Sequence, residues 1–286
     1  MKKHERKRAK KSNILGRLLM LLPVSCALFY PLHLAVQLDL KEETYTSSAF
    51  PAEFDGLRIA YVSDIHYGAY LSEARVRALV ERVNALNPDL IILGGDYGEN
   101  SQGAVDFFRL QPGFSASIAV LGVVGNHDRT LPENNLQALK RAMTEAGVRP
   151  LVNDVFLMEK AGKQVAIVGV DDFYNGNPDL KKAAALCREA EFTIFAPHTP
   201  DILPETYALD GGPFYQLALC GHTHGGQVVL FDRALKSSSN YGERYRTGWK
   251  QENGTDILIS NGVGTSFLPV RLGVRPQFHL ITMKSK

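Results

Sequence analysis

Leu57-Arg58-Ile59-Ala60-Tyr61-Val62-Ser63-Asp64-Ile65-His66 joins a short run of branched and aromatic residues to an Asp-x-His triplet. An apolar run of this length reads as a buried strand, and the acid and imidazole that follow stand where the strand ends. Open α/β sheets place their sites at that end. The same arrangement recurs at Gly94-Gly95-Asp96, Gly125-Asn126-His127-Asp128, Ala196-Pro197-His198 and Cys220-Gly221-His222-Thr223-His224-Gly225-Gly226. Asp64 and His66, like His222 and His224, are two residues apart. In extended chain that spacing projects both side chains to one face, so each pair can bite a shared centre.

Working outward, Ser72 opens a helical pattern in which Val76, Leu79, Val80, Val83 and Leu86 recur at helical spacing, and Asn87-Pro88 ends it. Residues 89–94 and 118–125 read as further buried strands separated by a polar, Gly-containing stretch, and a second helical pattern covers 132–147. Residues 155–159 and 164–170 read as a hairpin across Ala161-Gly162-Lys163. A helix is expected near 178–188, and strands at 191–196, 216–220, 226–231, 256–261 and 277–283. Strands outnumber helices late in the chain, and no repeat of fixed period is present. This pattern suits an α/β fold of two stacked mixed sheets with helices outside, and argues against a solenoid or an eightfold barrel.

A lone Asp-x-His occurs by chance in many chains of this size, and a single histidine after a strand is more often structural than ligating. The set carries the argument, because five of the eight histidines join Asp64, Asp96 and Asn126 at strand ends. His4, His33 and His279 lie outside it. Imidazoles with hard carboxylates suit Mn, Fe or Zn and serve calcium poorly. A carboxylate such as Asp96 has two oxygens and can bridge two ions. Two divalent ions about 3.5–4 Å apart can activate a bridging water as hydroxide for in-line hydrolysis of a phosphate ester.

The order Asp-x-His, Gly-Asp, Gly-Asn-His-Asp, His, Gly-His-Thr-His over residues 57–225 resembles the calcineurin-like metallophosphoesterase superfamily. The flanks Phe54-Asp55-Gly56, Gly225-Gly226-Gln227 and Asn261-Gly262-Val263-Gly264 are similar to its membrane-anchored branch, the YaeI/YkuE-type phosphodiesterases. The resemblance implies a four-layer αββα sandwich of two mixed β-sheets flanked by helices. It also implies one metal held by Asp64, His66, Asp96 and His224, and a second by Asp96, Asn126, His198 and His222. His127 would stabilise or protonate the leaving oxygen, with Asp128 orienting it. Many phosphatases of the superfamily follow the bridging Asp with an Asp-Arg pair. Here the text is Asp96-Tyr97-Gly98-Glu99-Asn100, which turns the expectation from a protein phosphatase toward a phosphodiester or lipid-linked pyrophosphate. The alternatives are a UDP-2,3-diacylglucosamine-type pyrophosphohydrolase and a non-catalytic scaffold, and completeness of the site speaks against the scaffold. Arg271 and Arg275 read as structural or solvated rather than phosphate-gripping, and Tyr97 either lines the pocket or packs on the sheet.

The chain has 286 residues, 45% hydrophobic and 22% charged, which excludes a disordered chain and a disulfide-stapled miniprotein. Its three cysteines form no CxxC pair, and Cys187 and Cys220 read as core packing. Residues 1–17 carry eight basic side chains and one acid, a net +7, which leaves −5 on the remainder and no footprint for nucleic acid. Residues 18–36 are almost wholly apolar and as a helix would rise about 28 Å, close to a bilayer core. The domains expected are a basic cytoplasmic head at 1–17, a transmembrane signal anchor at 18–38, a polar linker at 39–50 and the catalytic domain at 51–286. A cleaved signal peptide and a lipid-modified Cys26 are the rival readings of the apolar run. The positive-inside rule then gives a single-pass protein of the cell membrane, with its catalytic domain extracytoplasmic and facing lipid- or wall-linked phosphate esters.

Overall fold

The computed structural model describes residues 29–68, 70–130 and 134–286. The basic head, Cys26 and most of the expected anchor lie outside the described residues. Among those described, no helix is long and apolar enough to cross a membrane.

In chain order the principal elements are β1 (Asp39–Ser47), β2 (Arg58–Val62), α1 (Glu73–Ala85), β3 (Leu90–Leu93), α2 (Ser101–Leu110), β4 (Ala119–Gly122), α3 (Asn134–Glu145) and β5 (Arg149–Pro150). The hairpin β6 (Asp154–Lys160) and β7 (Lys163–Gly169) follows, then α4 (Leu180–Leu186), β8 (Phe192–Phe195), α5 (Leu203–Tyr207) and β9 (Leu217–Cys220). The chain closes with β10 (Val229–Leu230), β11 (Arg233–Ala234), β12 (Gly248–Glu252), β13 (Thr255–Ile259) and β14 (Gln277–Ser285). One six-stranded sheet has the order β1-β14-β2-β3-β4-β5 and the other β12-β13-β9-β8-β7-β6. Each is mixed. β2, β3, β4 and β5 run parallel in the first sheet, and β7, β8, β9 and β13 in the second.

Strand pleat divides each apolar run between two cores. Ile59 and Tyr61 of β2, Ile92 of β3, Ile167 of β7, Ile194 of β8 and Leu219 of β9 share the core between the sheets. The alternate residues Ala60, Val62, Ile91 and Leu93 pack on Val76, Leu79, Val80 and Val83 of α1 and on Phe107 of α2. On the other side Ala166, Val168, Phe195, Ala218 and Cys220 pack on Leu180, Ala183 and Leu203. Strands buried on both faces read as continuous apolar runs, which is why they were legible. The result is the expected four-layer αββα sandwich. Cys187 and Cys220 are buried and free, as expected.

Three expectations need correction. The linker at 39–50 is ordered strand over most of its length. β1 pairs in parallel with β14 in a register running from Asp39↔Gln277 to Ser47↔Ser285, and the folded body reaches back before it, with Leu34 and Ala35 buried and the Pro31 carbonyl accepting the Arg271 amide. Its polar sequence suits a sheet edge, where charged side chains discourage further pairing. The polar stretch before β4 contains α2, capped by the Asn100 side chain accepting from the Gly103 amide, with Ala104, Val105, Phe107 and Phe108 turned inward. The strand expected at 226–231 shrinks to Val229–Leu230, because Gly225 and Gly226 take positive φ and the chain turns there.

Candidate metal centre

Loops leaving β2, β3, β4, β8 and β9 interlock where the two sheets meet. The Asp64 carboxylate accepts the His222 amide at 2.9 Å, and the Gly221 amide donates to the His198 carbonyl at 2.8 Å. A Cβ on Gly125 would strike the Asp96 carboxylate and one on Gly221 the Asp64 carboxylate, so both positions require glycine. Asp64, His66, Asp96, His222 and His224 all have φ between 50° and 71°. For residues with side chains this conformation costs about 1–3 kcal/mol each and persists where function demands a particular aim. The expectation of an extended-chain projection is thereby corrected. The side chains converge from left-handed turns, and the two histidines of the Gly-His-Thr-His motif go to different groups.

Asp64, His66 and His224 form one group able to hold a metal, and Asp96, His198 and His222 form another. Nε2 of His66 lies 3.0 Å from Nε2 of His224, and His222 Nδ1 lies 2.8 Å from the Asn126 side-chain oxygen. Asp96 Oδ2 stands between the groups, 3.6 Å from His66 Nε2 and 3.2 Å from His198 Nε2. Donors held about 2.1 Å from one ion at right angles lie about 3 Å apart, so these separations fit the edges of a coordination shell. Asp64 Oδ2 is buried without a hydrogen-bond partner. Buried polar atoms are otherwise nearly always satisfied, and a cation would satisfy it.

The electrostatics of three imidazoles agree with that fit. At His198, by contrast, burial would lower the imidazole, but the charges of Asp96, Asp64 and Asp172 outweigh it and hold it well above its ordinary value, so an ion would have to displace its proton. Burial pushes the imidazoles of His66 and His222 down to about 3 and about 4, and holds His224 well below its ordinary value. The neutral imidazole is the form that offers a lone pair to a metal. Burial, reinforced by the Asp96 charge and opposed by His198, raises Asp64 to about 6. Burial would raise Asp96 as well, but His198, His66 and His127 outweigh it and hold that carboxyl well below the usual range.

His127 flanks this arrangement, its ring edge-on to His66 with centroids 4.7 Å apart. Its Nδ1 faces the Glu99 carbonyl at 3.0 Å. The expectation that Asp128 orients it fails. The Asp128 carboxylate instead accepts the amides of Asp96, Tyr97 and Gly125 at 2.8–2.9 Å, clasping the two loops together. Tyr97 packs, stacked on Phe107 with its hydroxyl donating to the Val123 carbonyl. Arg275 pairs with Asp39 at the surface. Arg271 is fully buried beneath the centre, donating to the carbonyls of His224 at 2.7 Å, Asn261 at 2.8 Å and Gly264 at 2.6 Å. His279 pairs with Glu43 at 2.9 Å, away from the centre.

Two acids at the centre escaped the sequence reading. Glu99 brings an oxygen 4.0 Å from His66 Nδ1. Asp172 is 1% exposed, keeps one carboxylate oxygen unpartnered and feels the charge of His198. Asp171-Asp172 comes one residue after β7, beyond Val170, with the same apolar-run-then-acid signal that marked the other clusters.

The family model for calcineurin-like phosphoesterases matches residues 57–226. Uncharacterized metallophosphoesterase YkuE of Bacillus subtilis is 30% identical over 257 residues, covering 87% of this chain and 86% of that protein. Phosphodiesterase YaeI of Escherichia coli is 26% identical over 238 residues, covering 79% of this chain and 82% of that protein. A transmembrane protein with metallophosphoesterase domain of Danio rerio is 26% identical over 250 residues, covering 82% of this chain and 54% of that protein. The chain belongs to the calcineurin-like phosphoesterase family.

Proposed function

We propose that the protein is a phosphodiesterase working with two divalent ions of manganese, iron or zinc, held from the outer face of a membrane by a single anchor at residues 18–38. The observation that carries the reading is Asp96, whose one carboxylate oxygen stands within 3.6 Å of imidazoles from both groups. Asp64, His66, Asp96 and His224 would hold one ion, and Asp96, Asn126, His198 and His222 the other. When bound, the ions would neutralise phosphate oxygens and acidify a water enough to attack at neutral pH. His127 keeps a hydrogen on Nδ1 for the Glu99 carbonyl, leaving Nε2 to carry the proton that passes to the departing alkoxide. Asp128 holds the Asp96 and Asn126 loops in register. Glu99-Asn100 stands where many phosphatases of the fold carry an Asp-Arg pair, so their phosphate-binding arginine has no counterpart here, which favours a diester, with one anionic charge, over a dianionic monoester.

The anchor is supported by eight basic side chains ahead of the apolar run and by relatives whose names describe transmembrane proteins. The test is hydrolysis of an aryl phosphodiester beside the matching monoester by the full chain loaded with manganese, with Asp96→Asn as control. Diester turnover that disappears in the control is expected, together with a fall in bound metal. Equal turnover by wild type and control would refute the bridging role of Asp96. A preference for the monoester would refute the diester reading.

A further inference from the structure

Beside the centre, between the β10–β11 hairpin and the loop that follows Gly264, lies an apolar cleft of about 290 Å³. His224 and Thr223 line its inner end, and Val228, Leu235, Phe267 and Leu268 line its walls. The Ser238 carbonyl on the same wall lies 3.2 Å from His222 Nε2, so the cleft abuts both histidines of the Gly-His-Thr-His motif. Gln227 ties the two walls, its side-chain amide donating to the Ser266 carbonyl at 2.8 Å and accepting the Ser266 amide at 2.9 Å.

The rim is more apolar than solvation alone would select. Leu235 is 68% exposed, Phe267 77% and Leu268 59%. Phe267 has φ 62°, a strained conformation for a bulky side chain that holds its ring at the cleft. The Lys236 ammonium sits over that ring, 5.3 Å from its centroid, and places a cation at the mouth. A cleft that starts at a metal-ligating histidine, continues between apolar walls and carries a cation beside it matches a molecule with a phosphate head and an apolar tail.

We propose that this cleft is an alkyl-chain subsite, taking the apolar tail of a phosphodiester whose phosphate is held at the centre. The inference rests on the phosphodiesterase reading and adds the substrate class, an amphiphilic phosphodiester of the lipid type. Its test compares p-nitrophenyl hexyl phosphate with p-nitrophenyl methyl phosphate on the full manganese-loaded chain. The expected result is that kcat/KM favours the hexyl ester by about tenfold or more, given the free energy of burying each added methylene. The double substitution Leu235→Ser with Phe267→Ser, at two exposed positions, should bring that ratio close to one. Leu157→Ser, an exposed leucine on β6, should keep it. If neither ester is hydrolysed, calorimetric binding of hexylphosphonate against methylphosphonate gives the same contrast, so a failed reaction and a failed subsite are read apart. A wild-type ratio near one, or a ratio unchanged by the double substitution, overturns the proposal. It is equally overturned if the double substitution lowers binding to phospholipid vesicles while leaving the ratio intact, for the rim would then be a bilayer contact.

Discussion

His127 and Arg271 both border the proposed ligands, one beside them and one beneath, and their replacement should separate chemistry from architecture. His127→Ala should leave metal content at the wild-type level and lower turnover by about 10²-fold, the usual size of a general-acid contribution. Elemental analysis alongside kinetics checks this, and loss of metal in the variant would mean that His127 is itself a ligand. Arg271→Met removes the donor that three buried carbonyls share, those of His224, Asn261 and Gly264. Leaving such groups unpaired should cost about 3 kcal/mol or more, seen as a lower urea midpoint. Arg271→Lys should recover only part of it, because a single ammonium cannot span acceptors arranged for a planar fork. A wild-type midpoint in the methionine variant would show that the carbonyls find other partners.

At the scale of elements, the side chains of Glu43 and Tyr45 tie β1 to the body. Glu43 accepts from Trp249 Nε1 at 3.0 Å and meets His279 Nδ1 at 2.9 Å, and Tyr45 stacks on Trp249 while its hydroxyl donates to Asp256. Half-burial by itself would raise the Glu43 carboxyl, but the bonds from His279 and Trp249 outweigh it and lower it. A lowered carboxylate contributes stability that is complete above its unfolded value of about 4.5 and is lost as pH falls through the folded value. Glu43→Gln should therefore lower stability at pH 7, by about 1 kcal/mol at most for a half-exposed pair, and the gap to wild type should close toward pH 3. Urea midpoints at the two pH values measure it. A gap that widens in acid would give the interaction the opposite sign.

For the molecule as a whole, the anchor reading predicts that protease added to intact cells or spheroplasts cleaves within residues 50–286, and that a reporter fused after Lys286 is active only outside the cytoplasm. Protection of that region would move the catalytic body to the cytoplasmic side, where nucleotide-linked lipids are made accessible, and would favour pyrophosphate chemistry over the diester. Residues 29–34 are helical, and the Pro31 carbonyl accepts the Arg271 amide at 3.0 Å. The end of the apolar run is thus tied to the loop that borders the proposed alkyl-chain subsite. Such a connection would bring the cleft near whatever surface the anchor occupies.

The sequence by itself determined the doubly covered sheets and the polar clusters that converge at the centre, Glu99 and Asp172 excepted. Strands buried on both faces must be apolar throughout, and short polar clusters at their ends carry their chemistry in side-chain identity. Tertiary structure decided what depends on partners without a sequence signature. β1 forms because β14, more than two hundred residues away, offers a free parallel edge, and no periodicity in a polar strand announces that. The orienting group of His127 is a main-chain carbonyl, which every residue possesses, so sequence pointed to the neighbouring Asp128 instead. The aim of the histidines follows from left-handed turns enforced by packed glycines. That geometry sends His222 and His224 to different groups, whereas their spacing alone suggested one.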